Sequence, residues 1–135
     1  PGLLMEAPIW GTDGGLSSET GTGAYMAGQW HADLSAEELG RIEHASAWLA
    51  ITSAPHSLEF VRGTGRPEVR VDIFRECNNS FRAGPPGERL LNDECVKRYA
   101  RERLDPALGQ RALTYVDLQA GDVVFFHGNL VHRGV

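Results

Sequence analysis

The apolar residues of this chain come in short runs, and the period within each run sets the element it predicts. ASAWLAIT, residues 45–52, is a compact apolar run of strand length. In HSLEFVRG, residues 56–63, Leu58, Phe60 and Arg62 alternate with Glu59 and Val61, an imperfect period of two that still predicts a strand. VRVDIF, residues 69–74, alternates more cleanly, with Val69, Val71 and Ile73 against Arg70 and Asp72, as a half-buried strand does. LTYVDLQ (113–119) and DVVFFH (122–127) predict two final strands separated by an Ala-Gly turn, and the aromatic-rich YMAGQWHADL (25–34) has the character of a strand or strand end. The helical period is clearest between Glu88 and Leu104, where apolar positions 91, 95, 96, 99 and 100 recur and Asp105-Pro106 supplies a stop. A second, short helix is predicted from Ser35, because Ser35 and Glu38 form a capping box. Gly and Pro mark GTDGGLSSETGTG (11–23) and FRAGPPGE (81–88) as loops.

Several short strands at intervals with one or two helices predict a mainly antiparallel β-architecture, a sandwich or jelly roll. At 135 residues the chain supports one core, so a single domain over residues 1–135 is expected. A content of 41% hydrophobic and 23% charged residues fits an ordinary folded domain rather than a disordered one. The net charge of −5, with no basic run longer than two residues, argues against nucleic acid as a partner. No apolar stretch approaches bilayer length, and the N-terminal residues lack the charged-then-apolar pattern of a signal peptide. The expectation is a soluble, cytoplasmic protein without a membrane partner. The chain does not begin with Met, which predicts a processed or excised piece of a longer one.

The Gly-rich stretch at 11–23 lacks the Lys-Ser/Thr ending of a phosphate-binding loop and follows no apolar strand. Cys77 and Cys95 match no zinc spacing and are expected as thiols rather than as a disulfide, given the compartment. The Asn78-Asn79-Ser80 sequon is discounted, since nothing else points to secretion. More telling is WHADL, in which His31 and Asp33 stand two apart and so project from one face of an extended backbone. Such a pair can chelate one cation, although most His-x-Asp strings are surface pairs without a ligand. A third donor could come from FFHGNLVH. His127 continues an apolar strand and reads as a packed strand-end residue. His132 lies beyond Gly128-Asn129, a turn that resets the strand parity. Two His and one Asp make the facial triad that leaves three coordination positions open, as in non-haem Fe(II) oxygenases.

Taken in order, Trp30-His31-Ala32-Asp33, AWLAIT, SLEFVRGTGR and GDVVFFHGNLVHRG resemble the signature segments of the phytanoyl-CoA dioxygenase family over most of residues 22–135. The resemblance implies a double-stranded β-helix, a type of jelly roll, and Fe(II)- and 2-oxoglutarate-dependent oxygenase activity on a small-molecule substrate with dioxygen. It assigns His31, Asp33 and His132 as metal ligands and catalytic residues, places His127 at a position that is often His without ligating, and sets Trp48 at an aromatic position lining the 2-oxoglutarate pocket in some members; a plain core Trp is the alternative. SLEFVRGTGR departs from the family's pattern at Arg62 and Gly65, where Pro and His are usual. The family also anchors the far carboxylate of 2-oxoglutarate with an Arg about ten residues past the distal His, a position beyond Val135; Arg133 is too close to serve. A fold cut short at its C-terminal end is therefore expected. Related iron halogenases lack the ligand carboxylate, so the presence of Asp33 implies hydroxylation. Two other readings stay open: a cupin-like enzyme using Zn, Mn or Ni without 2-oxoglutarate, and a non-catalytic β-sandwich in which His31, Asp33 and His132 never meet.

Overall fold

The computed structural model describes residues 28–33, 45–83 and 89–135. The Gly-rich stretch and the helix predicted from Ser35 lie outside these residues. In chain order the elements are β1 (Ala45–Leu49), β2 (Ala54–Val61), α1 (Pro67–Cys77), β3 (Asn78–Ala83), β4 (Arg89–Leu91), α2 (Asp93–Tyr99), a π-helical segment (Ala100–Leu104), α3 (Asp105–Leu108), β5 (Leu113–Leu118), β6 (Val123–His127) and β7 (Val131–Gly134). All named strand pairs are antiparallel.

One sheet has the order β5-β2-β7, and the other pairs β1 with β6. Trp30 and His31 extend the first sheet: His31 bridges His132 on β7, and Trp30 bridges Leu91 on β4, which pairs in turn with β3. Period-two alternation divides the side chains of this sheet between its two faces. Leu58 and Phe60 of β2 meet Phe126 of β6, with Trp48, Val116, Val124 and Leu130 around them, and fill the space between the sheets. Val61, Val131 and Trp30 point the other way, where Ile73, Phe74 and Cys77 of α1 and Val96, Tyr99, Ala100 and Leu104 of the α2–π run cover them. Among the described residues these two sheets form a sandwich, with the β3–β4 pair as a third, small sheet and a helical layer on the back of the β5-β2-β7 sheet.

Several expectations are corrected. Residues 69–74 are not a strand but the middle of α1. Val69 and Ile73 satisfy a spacing of two and a spacing of four alike; Phe74 and Cys77 complete the helical stripe, while Val71 is left 50% exposed. Pro67 opens the helix, where its missing N–H costs nothing, and Glu68 complements the helix dipole. The long helix starts at Asp93 rather than Glu88, because Arg89–Leu91 pairs with β3 and Asn92 caps the helix by accepting from the Cys95 amide at 2.9 Å. Nor does it stop at Asp105-Pro106. A π-helical turn precedes Pro106, the Asp105 amide reaches back five residues to Ala100, and the helix ends at Gly109 in the left-handed region that glycine favours. Phe81–Ala83, expected as loop, close β3. Cys77 and Cys95, expected as thiols, form a disulfide: β3 and β4 pair immediately inside them and bring the end of α1 to the first turn of α2, with the two Cα atoms 5.4 Å apart. Among the described residues no helix is long and apolar enough to cross a membrane.

Candidate metal centre

His31 and His132 sit directly opposite one another on neighbouring antiparallel segments and exchange both backbone hydrogen bonds, His31 N to His132 O at 3.0 Å and His132 N to His31 O at 2.9 Å. Residues paired in this way project from the same face, so both imidazoles enter the space between the sheets, their ring centroids 4.3 Å apart. His132 reaches that face because the chain reverses at Gly128-Asn129-Leu130, with the Leu130 amide bonded to His127 O at 2.9 Å. The reset parity leaves His127 exposed on the outer side of β6, where its Nδ1 accepts from the Asn129 amide at 3.1 Å. Asp33 follows His31 by two residues and turns the same way. Its Oδ1 lies 3.7 Å from His31 Nε2 and 3.5 Å from His132 Nε2. The three candidate donor atoms all fall within 4.8 Å of one another.

The hydrogen bonds around these side chains decide which atoms face inward. His31 Nδ1 lies 2.9 Å from Gln29 O, and His132 Nδ1 lies 2.9 Å from Leu130 O. A carbonyl only accepts, so each Nδ1 carries the proton and each Nε2 presents a lone pair toward Asp33. His132 is 3% exposed, and burial first, then the neighbouring His31, push its pKa down to about 4. It is therefore neutral and able to donate its lone pair well below neutral pH. Ser46, on the inward face of β1, donates from Oγ to Asp33 Oδ2, which orients the carboxylate and leaves Oδ1 toward the histidines. Phe126 and Phe60 pack beside the His132 ring, at centroid distances of 4.6 and 6.4 Å, and give the site an apolar flank.

All three residues singled out from the two His/Asp segments converge, so the alternative in which they never meet is set aside. Trp48 lies two residues past Ser46 on the same inward face of β1, half-buried against the inter-sheet core, and its ring passes over Gly134 of β7. Arg133 points to the opposite face of the sheet, where it pairs with Glu59 and Asp93. Ser46 was not anticipated; the only signal was its parity with Trp48 within a predicted strand.

A bound divalent metal fits this donor set. Two neutral imidazole nitrogens and one carboxylate oxygen, tautomers fixed and on one side of a shared centre, form the two-His, one-carboxylate arrangement that leaves coordination positions open. Residues 15–134 match the family model described as phytanoyl-CoA dioxygenase (PhyH). No curated protein and no solved structure matches the chain at a significant level. The two-sheet sandwich is the double-stranded β-helix of that family. With the match spanning nearly the whole sequence, the chain belongs to the phytanoyl-CoA dioxygenase family, oxygenases of the Fe(II)- and 2-oxoglutarate-dependent type.

Proposed function

We propose that this protein is an Fe(II)- and 2-oxoglutarate-dependent dioxygenase that hydroxylates a small organic substrate, with His31, Asp33 and His132 as both its metal ligands and its catalytic centre. The observation that carries the reading is the convergence of the three donor atoms within 4.8 Å, each imidazole tethered by Nδ1 so that Nε2 faces the shared centre. Bound Fe(II) would supply the activation of dioxygen, coupled to conversion of 2-oxoglutarate into succinate and carbon dioxide.

The residues of the chain have distinct tasks in this reading. His31 and His132 hold two neutral nitrogens in place, and Asp33 contributes the carboxylate that iron halogenases lack, which favours hydroxylation. Ser46 keeps the second oxygen of Asp33 occupied, so that the carboxylate binds through one oxygen. Phe60 and Phe126 exclude water beside His132, and Trp48 is assigned to the co-substrate side of the site from its inward place on β1.

The test is anaerobic titration of the protein with Fe(II) and 2-oxoglutarate, followed by a succinate-release assay on admission of dioxygen. The expected outcome is a weak visible charge-transfer band that disappears in His132→Ala, with substrate-independent succinate release above the metal-free background. A band that persists unchanged in His132→Ala refutes the assignment. Metal analysis that finds Zn, Mn or Ni, together with no succinate, transfers the centre to chemistry of the cupin kind.

A further inference from the structure

The residues that flank the two histidines form a second constellation on the other face of the same sheet. Because His31 lies opposite His132 in an antiparallel pair, the register sets Trp30 opposite Arg133. The Arg133 guanidinium stacks over the Trp30 ring at 4.5 Å from its centroid. On its other side β2 places Glu59 opposite Arg133, and Arg133 Nε donates to Glu59 Oε2 at 2.5 Å. Arg133 Nη1 donates to Asp93 Oδ1 at 2.9 Å, the same oxygen that accepts from Trp30 Nε1 at 2.8 Å, while Lys97 Nζ holds Asp93 Oδ2 at 2.7 Å. One guanidinium therefore joins the segment bearing His31, the strand bearing His132, strand β2 and the first turn of α2.

The Arg133–Glu59 pair is not a loose surface one, whereas the Asp93 side chain is 43% exposed. The side chains of Arg133 and Glu59 are only 17% and 13% exposed, and Trp30 is fully buried. Burial alone would raise the Glu59 carboxyl; hydrogen bonds from His56 and Arg133 outweigh it and hold Glu59 below its ordinary range. Asp93 is held low in the same manner, with Lys97 and Trp30 as its donors. A planar guanidinium is the group that can stack on an indole and bridge two carboxylates at once; an ammonium cannot do both.

We propose that Arg133, with Trp30 and Asp93, is a back-face clamp that positions the imidazoles of His31 and His132, which makes Arg133 a positioning residue for the metal centre; this rests on the reading of those histidines as ligands. The two strands contribute one ligand each and pair through a short register, so a small slide or twist between them moves one Nε2 relative to the other. The Trp30–Arg133 stack resists that slide at the residue adjacent to each ligand, and Asp93 ties both partners to one oxygen on the helical layer.

The test uses Co(II) as the metal probe on the full chain, reading its affinity and its visible d–d bands in the wild type, Arg133→Met, Arg133→Lys and Leu104→Ala. Leu104 is buried in the helical layer and makes no part of the clamp, so its truncation supplies a comparable loss of stability without touching it. Arg133→Met is expected to weaken Co(II) binding by about ten- to a hundredfold, the usual effect of removing a group that orients a ligand, and to alter the d–d envelope. Arg133→Lys should recover part of the affinity, and Leu104→Ala should leave both readouts at wild-type values. Wild-type affinity and spectrum in Arg133→Met overturn the proposal, as does an equal loss in Leu104→Ala. The metal-free protein gives an independent readout, nuclear Overhauser contacts between the two imidazoles, whose ring centroids lie 4.3 Å apart; these should be strong in the wild type and weakened in Arg133→Met. If the wild type binds no Co(II), the metal-centre reading falls on that result alone, and the inter-ring contacts of the metal-free protein still decide whether the clamp positions the imidazoles.

Discussion

Single hydrogen bonds settle much of the chemistry of this molecule. The Gln29 and Leu130 carbonyls fix which nitrogen of each imidazole faces the centre, and the Ser46 hydroxyl does the same for the oxygens of Asp33. The helical layer holds a comparable case in Tyr99, which is 4% exposed and donates to Asp72 Oδ2 at 2.8 Å. Burial first, and then the bond to Asp72, push its phenol up to about 12. The folded protein keeps this proton at pH values where the unfolded chain has lost it. Tyr99 therefore contributes stability that is complete below about pH 10 and is lost as the pH rises toward 12, on the order of 3 kcal/mol for a shift of this size. Spectrophotometric titration should show one tyrosine ionising late, in step with alkaline unfolding, and Tyr99→Phe should remove it. A wild-type titration in which every tyrosine ionises at the ordinary value would contradict the burial and the Asp72 contact.

At the scale of elements, α1 shows how a period can deceive. Val69, Val71 and Ile73 fit a strand, and only the positions after Ile73 distinguish the helix, since Cys77 lies four residues past Ile73 and eight past Val69, and Phe74 four past the buried Arg70. The two readings assign opposite fates to neighbouring side chains: a strand buries Val71 with Ile73, whereas the helix exposes Val71 and buries Ile73 completely. Val71→Lys should accordingly change stability by less than about 0.5 kcal/mol. Ile73→Ala should cost roughly 2–5 kcal/mol through the cavity it leaves. Urea denaturation measures both, and a large loss in Val71→Lys would restore the strand. The strand β2 was legible from its imperfect period of two, and β1, β5 and β6 as short apolar runs of strand length bounded by turns. β4 was not, because its three residues merge with the capped start of α2.

For the whole molecule, the two sheets must stay in contact for the site to keep its full surroundings, since β1 supplies Ser46 and Trp48 from one sheet while the imidazoles hang from the other. At Gly134 they approach closely: a Cβ added there would lie 3.0 Å from Trp48 Cη2. Gly134→Val should cost about 1–3 kcal/mol by pushing the indole away. Trp48→Leu in the same chain should recover part of that loss, so the double-mutant cycle should show a coupling of at least about 0.5 kcal/mol. Strict additivity would mean that the sheets do not touch at this point.

The local order of letters determined which residues could serve a metal, and why. His31 and Asp33 share a face by the geometry of an extended backbone, His132 is freed from the parity of β6 by a Gly-Asn turn, and the order of the four segments indicated the family and its sandwich of antiparallel strands. The tertiary structure alone decided that the three donors meet, because their meeting depends on a strand register between positions a hundred residues apart, and register is set by packing rather than by any period. The same holds for the Cys77–Cys95 bridge, for the bond from Ser46 to Asp33, and for the stack of Arg133 on Trp30. Each joins side chains whose distance along the chain carries no information about their distance in space.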